Sequence, residues 1–176
     1  MKRTLLFVLA LIASGCGPPP DGPYESYHEN GQLNVKGTYV AGERDGPFES
    51  YNEDGQLMRK ATYKDGRYDG PFEFYHDNGQ LMRKGTYKDD RYDGPFEFYY
   101  DNGQLGSKGT YKQEPRPEKM GVRVNVNFDG PFETYYEDGQ IDGKGTFKDG
   151  EKCGEWIEDG EPVTYDPCPP GLEDGN

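Results

Sequence analysis

The sequence has few of the residues that most often carry chemistry or fill a large core. It contains two His, three Cys and one Trp, and 31% of its residues are hydrophobic. With so few His, no Ser-His-Asp or Cys-His arrangement can be argued. We therefore expect no catalytic residues, no metal site and no cofactor. The small apolar fraction argues against one large globular core and leaves room for a thin, repetitive one.

Basic residues are also scarce, with 20 Lys and Arg against 33 Asp and Glu. Nucleic-acid binding requires clustered basic residues, so it is excluded as a function class. The acidity is greatest in residues 149–176, which hold nine acidic residues and one basic residue. Such a tail steers a basic partner toward the chain. The alternative is a solvated acidic surface that keeps the protein soluble.

No hydrophobic run is long enough to span a bilayer, which requires about 20 residues. The longest is the nine-residue run from Leu5 to Ala13, which follows Lys2 and Arg3. A charged start, an apolar middle and a small-residue end are typical of a secretory signal, and we assign residues 1–15 to it.

The end of this leader, Ile12-Ala13-Ser14-Gly15-Cys16, resembles the bacterial lipoprotein signal. The resemblance implies that Cys16 is lipidated and that residues 16–20 form a Pro-rich tether. An ordinary cleaved signal is the alternative. The expected location is the periplasmic side of the outer membrane, or the cell membrane if there is only one, and the lipid is the expected contact with the membrane.

The sequence is rich in Gly, Tyr and Phe, with 26, 15 and nine residues, and these recur with a fixed period. The period is 24 residues, extended to 36 before the fifth copy. A period of 20–50 residues predicts a solenoid or a similar array. We assign residues 21–152 to five repeats and residues 153–176 to a degenerate sixth repeat with the acidic tail. The five copies begin at Asp21, Asp45, Asp69, Asp93 and Asp129.

Each copy reads as a β-hairpin, because each contains an Asn-Gly or Asp-Gly pair that favours a two-residue turn. In the third copy, a two-residue turn at Asn78-Gly79 pairs residues whose numbers sum to 157. A three-residue turn would shift this register by one and separate the recurring Glu from the recurring Lys. The predicted pairs are Phe72–Gly85, Glu73–Lys84, Phe74–Arg83 and Tyr75–Met82, with Phe72, Phe74, Leu81 and Tyr87 on the core face.

A single hairpin is marginally stable, whereas stacked hairpins join their apolar faces into one core. The expected fold is therefore all-β, an elongated antiparallel sheet or solenoid of tandem hairpins of about 24 residues.

Two features depart from the repeat. The first is an insertion at about residues 113–124, which is the most basic local stretch, with Arg116, Lys119 and Arg123. It is either a specificity loop for a partner or a tolerated surface insertion. Beyond it, alternation of apolar and polar residues from Val122 to Phe128 predicts a half-buried strand.

The second departure is the pair Cys153 and Cys168 in the sixth copy. An even pair of Cys in an exported chain predicts a disulfide, which would cap the open end of the array. A metal site is the weaker alternative, because two Cys with distant His residues make a poor zinc site.

The third copy reads G-P-F-E-F-Y-H-D-N-G-Q-L-M-R-K-G-T-Y-K-D from Gly70 to Asp89, a pattern that resembles the bacterial variant of the MORN repeat. The resemblance covers about residues 21–161 and extends to the YwqK-type family of antitoxin-like proteins. It implies a non-enzymatic scaffold or binding surface, and an immunity or antitoxin role is a special case that rests on the resemblance.

We accordingly expect a surface-anchored lipoprotein that binds a protein partner. A glycan or cell-wall array is the alternative, since periodic exposed aromatic rings can stack on sugars, and a hydrolytic enzyme is the least favoured hypothesis. The expected contacts are the basic residues of the insert, the acidic tail and one Tyr per repeat: Tyr27, Tyr51, Tyr75, Tyr99 and Tyr135.

Overall fold

The computed structural model describes residues 19–112 and 127–169. The predicted signal peptide, Cys16, and the insert residues Arg116, Lys119 and Arg123 lie outside these ranges, as do residues 170–176. The described chain is all-β and contains fifteen strands. These are β1 Gly22–Tyr27, β2 Leu33–Val40, β3 Glu43–Arg44, β4 Gly46–Tyr51, β5 Leu57–Lys64, β6 Arg67–Tyr75, β7 Leu81–Lys88, β8 Arg91–Tyr92, β9 Gly94–Tyr99, β10 Leu105–Lys112, β11 Asn127–Phe128, β12 Gly130–Tyr135, β13 Ile141–Lys148, β14 Glu151–Glu158 and β15 Glu161–Thr164.

All fifteen strands form one antiparallel sheet, in which the hairpins of successive repeats lie side by side. Twelve strands follow the order β1-β2-β4-β5-β6-β7-β9-β10-β12-β13-β14-β15. The two-residue strands β3, β8 and β11 pair with the ends of β2, β7 and β10. This confirms the predicted antiparallel array of tandem hairpins, including a sixth hairpin made by β14 and β15. In the described ranges, no helix is long and apolar enough to cross a membrane.

The Asn-Gly and Asp-Gly turns are three-residue loops, so the predicted two-residue turn is wrong. In the third repeat, the backbone N–H of His76 donates to the oxygen of Gln80, and that of Gly79 donates to the oxygen of His76, both at 2.8 Å. Gly79 has a φ of 82°, whereas Asn78 is not in the positive-φ region. This is a type I turn followed by a left-handed Gly, since a type I′ turn would require positive φ at both central residues.

A β-bulge follows each of these turns and restores the register that the longer loop shifts. In the third repeat Phe74 pairs with Arg83, but Tyr75 pairs with Leu81, so Met82 is the extra residue. The predicted pair Tyr75–Met82 is therefore wrong. Leu81 lies directly opposite Tyr75 and shares its face, so its predicted place on the core face is also wrong.

Beyond the bulge the predicted register is confirmed. Phe72 pairs with Gly85, and Glu73 pairs with Lys84. A three-residue turn therefore does not separate the recurring Glu and Lys, because the extra residue in the bulge cancels the one-residue shift in register.

The core is built around a line of aromatic rings along one face of the sheet, and further buried rings such as Phe72 and Phe96 pack beside this line. Phe72 is 1% exposed and lies near its centre. Neighbouring ring centroids are 4.5–6.2 Å apart, the range in which aromatic pairs attract. The line runs without a break through Tyr24, Tyr39, Phe48, Tyr63, Tyr68, Tyr87, Tyr92, Tyr111, Phe128, Phe147, Trp156 and Tyr165.

The rings fit because the strand beneath them carries a small residue. A Cβ added to Gly37 would lie 2.4 Å from the ring of Phe48, and one added to Gly145 would lie 2.1 Å from the indole of Trp156. Ala61 occupies the same position in the second repeat and is buried. The predicted packing of Phe72 over Gly85 is confirmed, since a Cβ added to Gly85 would lie 2.9 Å from that ring. The rings over Gly37 and Gly145 come from the following hairpin, so this packing also joins one repeat to the next.

The sixth hairpin closes the last end of the sheet. Cys153 and Cys168 form the expected disulfide, with their Cα atoms 4.9 Å apart. Trp156 is 3% exposed, and its Nε1 donates to the backbone oxygens of Thr146 and Cys153, both at 3.1 Å. The indole thus ties the sixth hairpin to the fifth, and the disulfide holds the chain that follows β15 against β14.

Candidate binding surface

On the face opposite the aromatic core, Glu and Lys alternate in a straight row across the strands. Every neighbouring pair in the row is a register pair, both within hairpins and between them. We call this set the charged row. Its members are Glu25, Lys36, Glu49, Lys60, Glu73, Lys84, Glu97, Lys108, Glu133 and Lys144.

The ion pairs of the charged row link neighbouring repeats. Four of its Lys side chains bind the Glu of the following repeat, and Lys144 also binds Glu133 within its own hairpin at 3.2 Å. These charges therefore tie hairpins together in addition to pairing strands inside one hairpin. The inter-repeat N–O distances are 2.8 Å for Lys36–Glu49, 3.6 Å for Lys60–Glu73, 2.8 Å for Lys84–Glu97 and 2.8 Å for Lys108–Glu133.

The five predicted Tyr residues lie on this same face, two positions after each Glu of the charged row. Each Tyr hydroxyl donates to the carboxylate of that Glu, and the distance is 2.5 Å for Tyr75 to Glu73. Tyr27 is 55% exposed, and the other four are half-buried. We call this set the tyrosine ladder: Tyr27, Tyr51, Tyr75, Tyr99 and Tyr135. Its rings present apolar surface to a partner, while its hydroxyls are already hydrogen-bonded to the Glu carboxylates.

The contacts shift the pKa values of Glu133 and Tyr75 in opposite directions. Burial opposes the charge of Glu133, but hydrogen bonds from Lys108, Tyr135 and Lys144 outweigh it and lower its pKa to about 2. Burial and the hydrogen bond to Glu73 raise the pKa of Tyr75 to about 12. At neutral pH Glu133 is therefore a carboxylate and Tyr75 is a neutral phenol.

Shallow hollows lie beside the charged row where neighbouring hairpins diverge. One, of about 250 Å³, is lined by residues 71–73, 84–86 and 95–97. An equivalent hollow of about 230 Å³ lies one repeat earlier. The surface therefore has relief that repeats with the period of the sequence.

The two His residues act as structural links between turns. The Nε2 atom of His28 lies 2.8 Å from the backbone oxygen of Tyr51, and that of His76 lies 2.9 Å from the backbone oxygen of Tyr99. These contacts were not predicted from the sequence. Among the described residues, no group of three His, Cys, Asp or Glu side chains is arranged to hold a metal ion.

Arg side chains that bind the aromatic face were also not predicted from the sequence. The guanidinium of Arg83 lies 4.3 Å from the ring centre of Tyr92 and donates to the hydroxyls of Tyr92 at 3.1 Å and Tyr111 at 2.6 Å. Arg59 makes the corresponding bond to Tyr68 at 3.1 Å. The available signal was the Arg before the recurring Lys in copies two and three, paired with an aromatic residue nine positions later.

A search of curated proteins finds no significant match to the chain. The family model described as the MORN repeat variant matches it five times, at residues 20–41, 44–65, 68–89, 92–113 and 128–149. These matches coincide with the five hairpins and exclude the insertion. MORN repeats are in general binding modules for proteins or membranes, and proteins built from them are in general non-catalytic scaffolds. The chain belongs to the MORN repeat variant family.

Proposed function

We propose that the chain is an exported, lipid-anchored scaffold that binds a protein partner through the tyrosine ladder and the charged row. The observation that carries this proposal is the alignment of both sets on one face of the sheet, opposite the core, in all five repeats. Tyr rings are favoured at protein interfaces because they join apolar area to a polar tip.

A protein partner fits this face better than a glycan does. The Tyr hydroxyls that would bind sugar hydroxyls already donate to Glu of the charged row. The single Trp, which stacks on sugars most strongly, is buried as Trp156. The net charge of −13 favours a partner with a basic surface. An immunity or antitoxin-like role, as in the YwqK-type family that the repeats resemble, is one form of this proposal.

The test of the binding face is a pull-down with the purified chain carrying Tyr75→Ala and Tyr99→Ala. We expect partner recovery to fall about tenfold or more, as for interface residues that each contribute at least about 1 kcal/mol. Tyr136→Ala is the matched control, because Tyr136 is 45% exposed but lies outside the ladder. Thermal unfolding of each variant shows whether it is folded.

Parallel incubation with cell-wall polysaccharide separates the two classes of ligand. Retention on the polysaccharide without recovery of any protein would contradict the proposal. Recovery that is unchanged in the double variant would place the site elsewhere, with the basic insert residues Arg116, Lys119 and Arg123 as the next candidates.

The anchor is tested separately through Cys16. We propose that Cys16 is lipidated and that residues 16–20 tether β1 to the outer membrane, or to the cell membrane if there is only one. Cys16→Ser is expected to move the protein from the membrane pellet to the soluble fraction. A protein that stays in the pellet would show that the lipid assignment is wrong.

A further inference from the structure

The first edge of the sheet is an incomplete copy of the junction that joins every other pair of repeats. At each junction the first strand of a repeat pairs with the second strand of the repeat before it. No described repeat precedes strand β1, and none of the described strands pairs with its outer edge. The exposed residues Glu25 and Tyr27 stand where Glu49 and Tyr51 stand in the second repeat.

The complete junctions show what is missing at β1. In each junction among the five repeats, a Lys is the register partner of the Glu, and the residue before that Lys pairs with the residue after the Glu. Between β7 and β9, for example, Lys84 pairs with Glu97 and Arg83 pairs with Phe98. A small residue, Gly85, follows the Lys, and its added Cβ would lie 3.4 Å from Phe96.

The exposed residues of β1 reflect the missing strand. No described ion pair includes Glu25, whereas Lys36 binds Glu49 at 2.8 Å. Tyr27 is 55% exposed, whereas Tyr51 is half-buried, and Nζ of Lys36 lies 5.8 Å from its ring centre. An arriving strand that carried Lys opposite Glu25 would supply both contacts.

We infer that the outer edge of β1 binds an antiparallel β-strand of a basic partner protein that carries a Lys followed by Gly or Ala. The Lys lies opposite Glu25, and the small residue lies opposite Tyr24, in the register of the internal junctions. This mode is β-strand addition, in which backbone hydrogen bonds give affinity and side chains give specificity. The site goes beyond the proposed function, because it lies at the edge of the sheet and does not use its face.

A second copy of the chain is a poor occupant of this edge. Two β1 strands paired about a two-fold axis bring no Lys to Glu25, since β1 contains no basic residue. The charge of −13 on each copy also opposes self-association. The far end cannot pair in register with β1 of another copy either, because Lys144 is followed by the sixth hairpin, where its register partner is Ile157.

The test uses synthetic peptides and the purified full chain. The probe is the acetylated and amidated peptide LMRKGTYK, which is the sequence of β7 and presents its Lys to Glu97 in the internal junction. In the second peptide, LMREGTYK, Glu replaces that Lys and so reverses its charge. Binding is measured by fluorescence anisotropy for the wild-type chain, for Glu25→Lys and for Glu29→Lys, an exposed control with the same change in charge.

We expect the wild-type chain to bind LMRKGTYK about fivefold more tightly than LMREGTYK, which corresponds to the upper range of a cross-strand charge pair. Glu25→Lys should reverse this preference, and Glu29→Lys should retain it. The double variant Tyr75→Ala, Tyr99→Ala should also retain this preference. A result that contradicts binding at the face can therefore be distinguished from one that contradicts binding at the edge.

Three results would overturn the inference. These are no saturable binding to the wild-type chain, equal losses in Glu25→Lys and Glu29→Lys, or a preference that Glu25→Lys leaves unchanged. Sedimentation of the chain alone tests the occupant. A concentration-dependent dimer that Glu25→Lys abolishes would identify a second copy at this edge and would contradict the assignment to a partner protein.

Discussion

The ammonium of Lys84 lies 2.8 Å from the carboxylate of Glu97, although the two residues belong to different hairpins. Lys84 is equally the register partner of Glu73 in its own hairpin. The ion pair is formed with the neighbouring repeat, so one charge contributes to the contact on which the array depends. In a linear array, such nearest-neighbour contacts set the stability of the whole.

The first prediction concerns this pair. Lys84→Ala and Glu97→Ala should each destabilise the protein, and a double-mutant cycle should give a coupling of about 0.2–1 kcal/mol. The value is small because the two side chains remain 43% and 34% exposed and water screens them. Urea unfolding of the four proteins measures it. A cycle between Lys84 and Glu73 is the control, and an equal coupling there would contradict the inter-repeat assignment.

The second prediction concerns pH. Hydrogen bonds from Lys108, Tyr135 and Lys144 outweigh burial and lower the pKa of Glu133 from its usual 4.5 to about 2. A lowered pKa in the folded state contributes stability that is fully present above the unfolded pKa and is lost as pH falls toward the folded pKa. Glu133 should therefore stabilise the protein above about pH 5, and this contribution should disappear between about pH 5 and pH 2.

The measurement for Glu133 is the free energy of unfolding as a function of pH, compared with Glu133→Gln. The variant should be less stable at pH 7, and the difference should shrink as the pH falls below 4.5. Glu137→Gln, at an exposed turn position of the same repeat, is the control and should leave the profile unchanged. A difference that stays constant from pH 7 to pH 2.5 would disprove the role assigned to the Glu133 charge.

The register of each hairpin was predictable from the sequence, and the conformation of its turn was not. Asn-Gly is favoured in a type I′ turn, but Gly is equally suited to the left-handed position of a three-residue loop, so Asn78-Gly79 does not distinguish them. The pairing of Glu73 with Lys84 was predictable because the two residues recur in phase. The bulge at Met82 has no comparable signal, since it depends on the loop that precedes it.

Two-residue turns with both central residues at positive φ do occur, but at the opposite ends of the hairpins. Between β2 and β3 they are Ala41 and Gly42, with φ of 51° and 77°, and between β5 and β6 they are Asp65 and Gly66. The tight turns therefore connect one repeat to the next. The ion pairs that join neighbouring repeats were likewise not predictable from the sequence, because Lys84 has a Glu as its register partner on each of the two neighbouring strands.

The third prediction tests the packing of rings over small residues. Gly145→Ala should destabilise the protein by about 1–3 kcal/mol, because the new Cβ would lie 2.1 Å from the indole of Trp156 and must displace it. Ala61→Gly is the matched comparison at the equivalent position, where a methyl group is already accommodated and its removal should cost about 1 kcal/mol or less. Thermal unfolding measures both changes.

One outcome with the same two variants would contradict this prediction. If Gly145→Ala unfolded at the wild-type temperature while Ala61→Gly lost more stability, the close approach of the indole would not govern this position. The emission of Trp156, the single Trp in the chain, reports directly on whether the ring has moved toward water.

The fourth prediction concerns the disulfide at the end of the array. Cys153 and Cys168 are 15 positions apart, and a closed loop of that size stabilises by about 3 kcal/mol in the chain-entropy model. In an array that is held by nearest-neighbour contacts, the loss should fall first on the terminal hairpin. The variant with Cys153→Ser and Cys168→Ser should therefore unfold its sixth hairpin before the others.

Trp156 makes this order measurable, because its buried indole belongs to the sixth hairpin while most Tyr rings belong to the other five. In the double variant, Trp emission should shift to longer wavelength at a lower urea concentration than that at which the far-ultraviolet circular dichroism of the sheet is lost. In the oxidised wild-type chain the two transitions should coincide. Coincident transitions in the double variant as well would mean that the sixth hairpin is held by the Trp156 contacts with Thr146 and Phe147, and that the disulfide adds little to the cap.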